Sequence, residues 1–351
     1  MEENEVFEAA PVIIDRTKDA RKRYSRVFTS AGLMILIYEA IFSVISAVLA
    51  IIVPEFEMST VFMTVASFIL VDALGYTLIF LFTKKLGKTK IEKRKLGAKT
   101  FFCAIIVVLG LTQIFALVGN GVSALLDKIP WISTVDIIND EYADEPLWSM
   151  LVFGVILAPL FEELIFRKTF CDHLVEFGEL PAIIVSAVAF GLFHQNFYQF
   201  FFTVATGAVL AWLYVKSGKI ILPIAAHMIM NFIGGFLPTA LNCFYEALSA
   251  EGGLSLPESI TSVEGLGEVV ETMAALLYRL CIGCYNIIIF GGAIAAVIIL
   301  IVFRKKYTRF GEPISYVDEK KRFVVPFVNS GAIFYIVLCA YFFASIMVAY
   351  A

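Results

Sequence analysis

The sequence is poor in charged residues and in histidine. Asp, Glu, Lys and Arg make up 17% of its 351 residues, against about 25% in an average soluble domain, and 60% are hydrophobic. The net charge of −4 provides no basic surface of the kind that binds nucleic acid, so no such partner is expected. The 6 cysteines are scattered and form no disulfide framework. These shortages exclude a soluble domain, a nucleic-acid-binding protein and a disulfide-rich scaffold.

Long apolar runs take the place of the missing charges. Several contain about 20 apolar residues or more, the length that crosses a bilayer as a helix. The sequence therefore predicts an all-α polytopic membrane protein, a bundle of about eight to nine transmembrane helices surrounded by membrane lipid. Nine spans are predicted: residues 27–53, 59–83, 100–126, a fourth from Leu147 to about Phe177, a fifth from Pro181, then 201–216, 220–238, 272–303 and 329–349.

The loops between the predicted spans alternate in charge. Lysine and arginine concentrate before the first span and in residues 84–99, 216–219 and 304–328, whereas the other connectors are acidic or neutral. Under the positive-inside rule, the basic loops and the N-terminus face the cytoplasm. We expect an integral protein of a bacterial plasma membrane.

Four regions follow from this arrangement. They are a cytoplasmic tail (1–26), N-terminal transmembrane helices (27–146), a central core with the chemically interesting residues (147–238), and an extracytoplasmic connector with C-terminal transmembrane helices (239–351).

Two adjacent carboxylates lie inside the fourth span, at Glu162 and Glu163. Ionisable groups at membrane depth are costly, and they usually face a protein interior or a wet cavity. Arg167 lies four residues after Glu163, so the two share a helical face and can pair. Glu162 points about 100° away and remains free to face another helix. The alternative is that both glutamates end the helix and reach toward lipid headgroups.

Two of the chain's 3 histidines lie in predicted spans, at His194 and His227. A lone histidine in an apolar helix is more often a core residue than a catalyst. Asn231 follows His227 by four residues, so these two point the same way. At 1.5 Å per residue, Glu162 and His194 lie at similar depths, whereas His227 lies shallower, which requires a tilted or recessed seventh helix. The third histidine, His173, is expected at the surface.

Together these residues form three ordered motifs: Glu162-Glu163 with Arg167, Phe190 with His194, and His227 with Asn231. This pattern resembles the CAAX protease and bacteriocin-processing family (CPBP, or Abi) of intramembrane proteases. The resemblance covers residues 147–238 and implies a membrane-embedded endopeptidase whose catalytic site contains Glu162, Glu163, Arg167, His194, His227 and Asn231. Lys168 departs from the family pattern, in which many members have glycine.

Hydrolysis of an amide within a membrane requires a water, a base and a stabiliser of the oxyanion. Glu162 with His194 can deprotonate a water, and His227 with Asn231 can donate to the oxyanion, as the resemblance also implies. Two histidines and a carboxylate are also a plausible zinc set, although asparagine is a poor zinc ligand. We favour the metal-free reaction; zinc stays an alternative. The substrate is expected to be a prenylated C-terminus, a leader peptide or a membrane peptide.

Two non-enzymatic functions remain open. Glu39 and Asp72 lie in the first two spans and, with Glu162 and the histidines, could form a proton or ion relay of a transporter. Their plainer interpretation is that they satisfy hydrogen bonds between helices. A non-proteolytic immunity or scaffold protein on the same fold is the other possibility.

Overall fold

The computed structural model describes residues 14–52, 60–134, 146–248 and 266–349. Within these ranges the chain is helical and has no β-strand. The acidic stretches 54–57 and 135–145, residues 1–13 of the tail and residues 249–265 of the connector lie outside the described residues.

The described helices follow the order of the predicted spans. They are α1 (Thr17–Ile52), α2 (Thr60–Ser67, π-helical Phe68–Leu74, then Gly75–Thr83), α3 (Ala98–Leu126), α4 (Leu147–Phe177), α5 (Glu179–Phe193), α6 (Phe197–Ser217), α7 (Ile221–Asn231, π-helical Phe232–Phe236, then Leu237–Leu248), α8 (Leu266–Val302) and α9 (Ser330–Ala349). A single turn, Arg304–Tyr307, follows α8.

Eight of these helices are long and apolar enough to cross a membrane, and α5 is the exception. Its 15 residues extend about 22 Å, less than the roughly 30 Å of a bilayer core. The prediction of a ninth full span is therefore wrong at α5. The helix ends at Phe193 because Gln195 adopts a left-handed φ of 55°, and α6 begins at Phe197 rather than near 201.

Two buried apolar clusters make up the interior, and α4 and α5 contribute to both. The first joins these two helices to α1, α2 and α9, with Phe28, Phe166 and Tyr335 fully buried. The second joins them to α3, α6, α7 and α8 around Leu210. Consequently α4 and α5, which carry the first two motifs, lie at the centre of the bundle.

The basic loops meet at one end of the bundle, which we call the basic face (residues 84–97, 216–219 and 303–329). The backbone N–H of Arg94 donates to the carbonyl of Ser217 (2.8 Å), which joins two of these loops. His173 is buried, with Nδ1 2.9 Å from the carbonyl oxygen of Gly87. Its predicted surface position is therefore wrong, because residues 84–97 fold across the end of α4.

The same loop packs closely against the turn before α7. Gly218 has a left-handed φ of 63°, and a Cβ there would lie 2.4 Å from the carbonyl oxygen of Glu92. This close approach leaves no room for a side chain at Gly218. His227, only two turns into α7, reaches Glu163, with Nδ1 2.9 Å from Oε1.

Candidate active site

Glu163 joins the first and third motifs. Its carboxylate Oε2 lies 3.0 Å from Nε of Arg167, and both side chains are fully buried. Its other oxygen, Oε1, lies 2.9 Å from Nδ1 of His227. The predicted pairing of Glu163 with Arg167 is therefore present, and the same carboxylate also holds the imidazole of α7.

Arg167 rests against an aromatic ring as well as a carboxylate. Its guanidinium carbon lies 4.4 Å from the ring centroid of Phe190, a cation–π contact between α4 and α5. Within the described ranges, its two Nη atoms have no hydrogen-bond partner. From the sequence, Phe190 is only a member of the second motif, yet its ring stabilises a buried charge that has few polar partners.

Glu162 is less constrained than its neighbour. Its side chain is 14% exposed, and Oε2 lies 3.6 Å from Nε2 of His227, too far for a direct hydrogen bond. It also interacts electrostatically with His194. The two glutamates thus differ as their 100° offset predicts: Glu163 is fixed in the interior, and Glu162 faces both histidines.

His194 lies at the C-terminal end of α5. Its Nδ1 lies 2.8 Å from the carbonyl oxygen of Phe190, which can only accept. We therefore assign the Nδ1–H tautomer, which leaves Nε2 of the neutral ring as an acceptor. The imidazoles of His194 and His227 both approach the Phe190 ring, with centroids 4.7 and 5.7 Å away.

Asn231 faces back toward α4. Its Nδ2 donates to the carbonyl oxygen of Gly154 (2.9 Å). An amide nitrogen carries two N–H groups, so one remains available to a ligand. Because His227 lies one turn earlier on α7 and contacts both glutamates, the structure brings residues of all three motifs into one region.

Asp72 is a further buried carboxylate that the motif analysis did not include in this site. It lies on the π-helical segment of α2 and interacts electrostatically with Glu162. The ring centroid of Phe161 lies 5.5 Å from that of Phe68 and 6.2 Å from that of Tyr76. These contacts pack α4 against α2 beside Glu162. An aspartate inside a span was the available signal.

A metal ion would need three or more converging ligands. In the described part of the chain, no group of three His, Cys, Asp or Glu side chains is arranged to hold one. Nδ1 of each histidine lies within hydrogen-bond distance of an oxygen acceptor, as in zinc-bound histidines. The same arrangement also suits a histidine that acts as a base. The geometry therefore does not fit a zinc ion, and no step below uses one.

Comparison with known proteins places this region in a family. Residues 144–233 match the family described as type II CAAX prenyl endopeptidase Rce1-like. YdiL of Bacillus subtilis (strain 168), provisionally named a membrane peptidase, is 35% identical over 83 residues, 23% of this chain. The matched part spans about a third (34%) of the length of that relative. No solved structure matches the chain significantly.

All three motifs lie inside the matched segment, and the eight candidate spans make this an integral membrane protein. Residues 144–233 are therefore similar to the Rce1-like type II CAAX prenyl endopeptidase family and to a relative named as a membrane peptidase.

Proposed function

We propose that this protein is an intramembrane endopeptidase that hydrolyses a peptide bond with a water activated by Glu162 and His194. The observation that carries the proposal is the double contact of Glu163, with Arg167 in its own helix and with His227 of α7. A buried carboxylate that holds an imidazole beside a second, freer carboxylate is an arrangement suited to moving protons.

In this proposal the water is activated between two hydrogen-bond acceptors, Nε2 of His194 and the carboxylate of Glu162. The neutral His194 ring presents Nε2 as an acceptor, and Glu162 presents a carboxylate with no direct hydrogen bond to His227. A water that donates to both is oriented, and it loses one proton to Glu162 as its oxygen attacks the carbonyl carbon.

His227 completes the proton path. Its Nδ1–H is held by Glu163, so the neutral ring presents the Nε2 lone pair toward Glu162, 3.6 Å away. Glu162 takes a proton from the water and passes it to Nε2 of His227. Only then can His227 donate a hydrogen bond to the oxyanion. Protonated His227 and the free N–H of Asn231 then stabilise the oxyanion. When the C–N bond breaks, His227 gives this proton to the leaving amine. Glu162 and His227 then return to their starting states.

The substrate and orientation are part of the proposal. A family of CAAX prenyl endopeptidases and a site within a helical bundle favour a peptide that approaches from the membrane, either a prenylated C-terminus or a leader or membrane peptide. The charge of the loops favours a bacterial plasma membrane with the N-terminus and the basic face in the cytoplasm.

A proton relay of a transporter is the second candidate, and the proximity of Asp72 to Glu162 favours it. A relay needs polar groups that continue to both faces of the membrane. Glu39 does not continue the series of polar groups from Glu162 and Asp72, because its side chain interacts with its neighbour Tyr38. The immunity or scaffold interpretation has no comparable support.

The test is cleavage by purified protein in lipid nanodiscs. The probes are internally quenched peptides with a farnesylated CAAX end, the same peptides without the lipid, and a quenched leader-type peptide, with the cut bond identified by mass spectrometry. We expect cleavage of at least one probe by the wild-type protein and cleavage slower by about 10²–10⁴-fold by Glu162→Gln. Equal activity in both proteins would contradict the proposal. Peptides that accumulate in cells carrying Glu162→Gln would identify the natural substrate.

A further inference from the structure

The corner between α5 and α6 places His194, and its backbone is unusual. His194 follows the last residue of α5 with helical angles (φ −73°, ψ −14°), and Gln195 then turns to φ 55°. Gln195 is the one non-glycine residue with positive φ in the described part of the chain. Such a conformation is costly for a residue with a side chain, and it persists where surrounding contacts hold it.

One contact that holds the corner comes from α1. Gln195 is buried, and its Nε2 donates to the hydroxyl of Tyr38 (3.2 Å), which is also buried. Glu39, the next residue of α1, interacts electrostatically with Tyr38. The corner is thus tied to α1 by the hydrogen bond between the side chains of Gln195 and Tyr38.

The next residue fastens the other side of the corner. Asn196 donates from Nδ2 to the carbonyl oxygen of His194 (2.8 Å), and its Oδ1 accepts from the N–H of Gln199 (2.7 Å), which caps α6. Asn196 thus fixes the chain after His194 to α6, whereas Gln195 fixes it to α1.

The His194 ring cannot adjust independently of this corner. Its Nδ1 is bound to the carbonyl of Phe190 in its own helix, so the ring moves with the end of α5. Glu162 and His227, the groups it must face, belong to α4 and α7. A shift of the corner therefore changes the distance from Nε2 of His194 to those groups.

We propose that Tyr38 is a positioning residue for His194 and acts through the side chain of Gln195. The helix that supplies it lies outside the segment that matches the family, residues 144–233. The bond aims the imidazole without contact between Tyr38 and the reacting atoms. The expected effect of Tyr38 on peptide cleavage rests on the proposed function, whereas its effect on the orientation of the His194 ring does not.

The test uses the scarcity of histidine. Protein labelled with ¹⁵N-histidine gives ring signals from 3 residues only, which can be assigned with His173→Gln and His194→Gln. In lipid nanodiscs, Tyr38→Phe should shift the His194 ring signals and leave those of His173 unchanged. Gln195→Ala removes the same bond from its other end and should give the same shift, and the double variant should add nothing further.

Tyr24→Phe is the matched control. Tyr24 is a buried tyrosine of the same helix, and its hydroxyl has no hydrogen-bond partner among the described residues. It should leave the His194 signals at their wild-type positions. Unchanged His194 signals in both Tyr38→Phe and Gln195→Ala would overturn the proposal, as would equal shifts in the control. If one variant fails to fold, the other decides.

The kinetic measurement separates positioning from simple destabilisation. With a cleaved probe peptide, Tyr38→Phe should lower kcat by up to about a hundredfold and leave KM unchanged, because misplacing a base affects the chemical step. A rise in KM with constant kcat would overturn it. If the wild-type protein cleaves no probe, the proposed function fails, and the ring signals alone decide whether Tyr38 positions His194.

Discussion

Helix α4 carries two ion pairs of the same spacing in different surroundings. Glu163 and Arg167 are four residues apart, and neither side chain is exposed. Lys168, the residue after Arg167, pairs with Asp172, which is also four residues further along the helix. This lysine is 48% exposed and lies at the basic face. Asp172 also accepts from the hydroxyl of Tyr214 (2.6 Å). Identical spacing thus yields one fully buried pair and one pair whose lysine is in contact with solvent while its aspartate is buried.

The difference is set by what replaces water around the charges. Burying a charge is costly, and a partner and hydrogen bonds must offset that cost, so removing one member of a buried pair leaves an uncompensated charge. In the second pair water solvates the lysine, and the buried Asp172 keeps the hydroxyl of Tyr214 as a donor, so the lysine should contribute little to stability. The buried pair holds His227 as well, so its loss affects the candidate site; the exposed pair only ties α4 to α6.

The largest effect is expected from Arg167→Met. This change leaves Glu163 buried without its cation and should destabilise the protein by about 3–5 kcal/mol, with loss of peptide cleavage. Thermal unfolding in detergent and the folded yield on size exclusion measure the first effect. The double variant Glu163→Gln, Arg167→Met should regain much of the stability but not the activity. A single variant with wild-type thermal stability would show that the two pairs do not differ.

Glu162→Gln comes next and separates activity from stability. Glu162 is partly exposed to the site and takes no part in the buried pair, so its replacement should lower cleavage by about 10²–10⁴-fold at near wild-type yield. Glu163→Gln is the comparison, because it should reduce both. Equal yields with equal losses of activity in the two variants would show that the glutamates share one role.

Lys168→Met tests the exposed pair and should cost less than about 1 kcal/mol. The Nζ atom of Lys168 lies 5.7 Å from the ring centroid of Tyr214, and methionine keeps an unbranched side chain while removing the charge. The unfolding temperature should remain close to that of the wild-type protein, and the cleavage rate should not change. A loss as large as that of Arg167→Met would mean that the basic face is as sensitive as the interior.

The smallest effect is expected from metal removal. If water is activated by Glu162 and His194, treatment with a chelator should leave cleavage unchanged, and the purified protein should hold much less than one zinc per chain. Elemental analysis and chelator titration measure this. Activity that is lost to chelator and restored by zinc would instead indicate the site of two histidines and a carboxylate.

Local rules predicted the features that depend on spacing along one helix. The Glu163–Arg167 pair, the separate direction of Glu162 and the shared face of His227 and Asn231 follow from a rotation of 100° per residue. The second link of Glu163, to His227, could not be predicted this way, because 64 residues separate them and their meeting depends on how α7 packs against α4.

Burial was the property that the sequence predicted least well. His173 looked like a surface residue beside Asp172, but the loop 84–97 covers it. Asp72 was noted as an intramembrane charge, and its neighbour Glu162 became evident only with the packing of α2 against α4. Both depend on contacts between distant segments, which composition and periodicity do not encode.

The sequence by itself determined the class of molecule, the order of its helices and the three motifs, because apolar length and helical spacing are local properties. Tertiary structure alone decided that α5 stops short of a full span, that Glu163 rather than Glu162 bonds to His227, and that Tyr38 of α1 reaches the residue beside His194. These features depend on a backbone corner and on the relative depth of separate helices. Packing sets both, since each helix settles where its neighbours bury its polar groups against suitable partners.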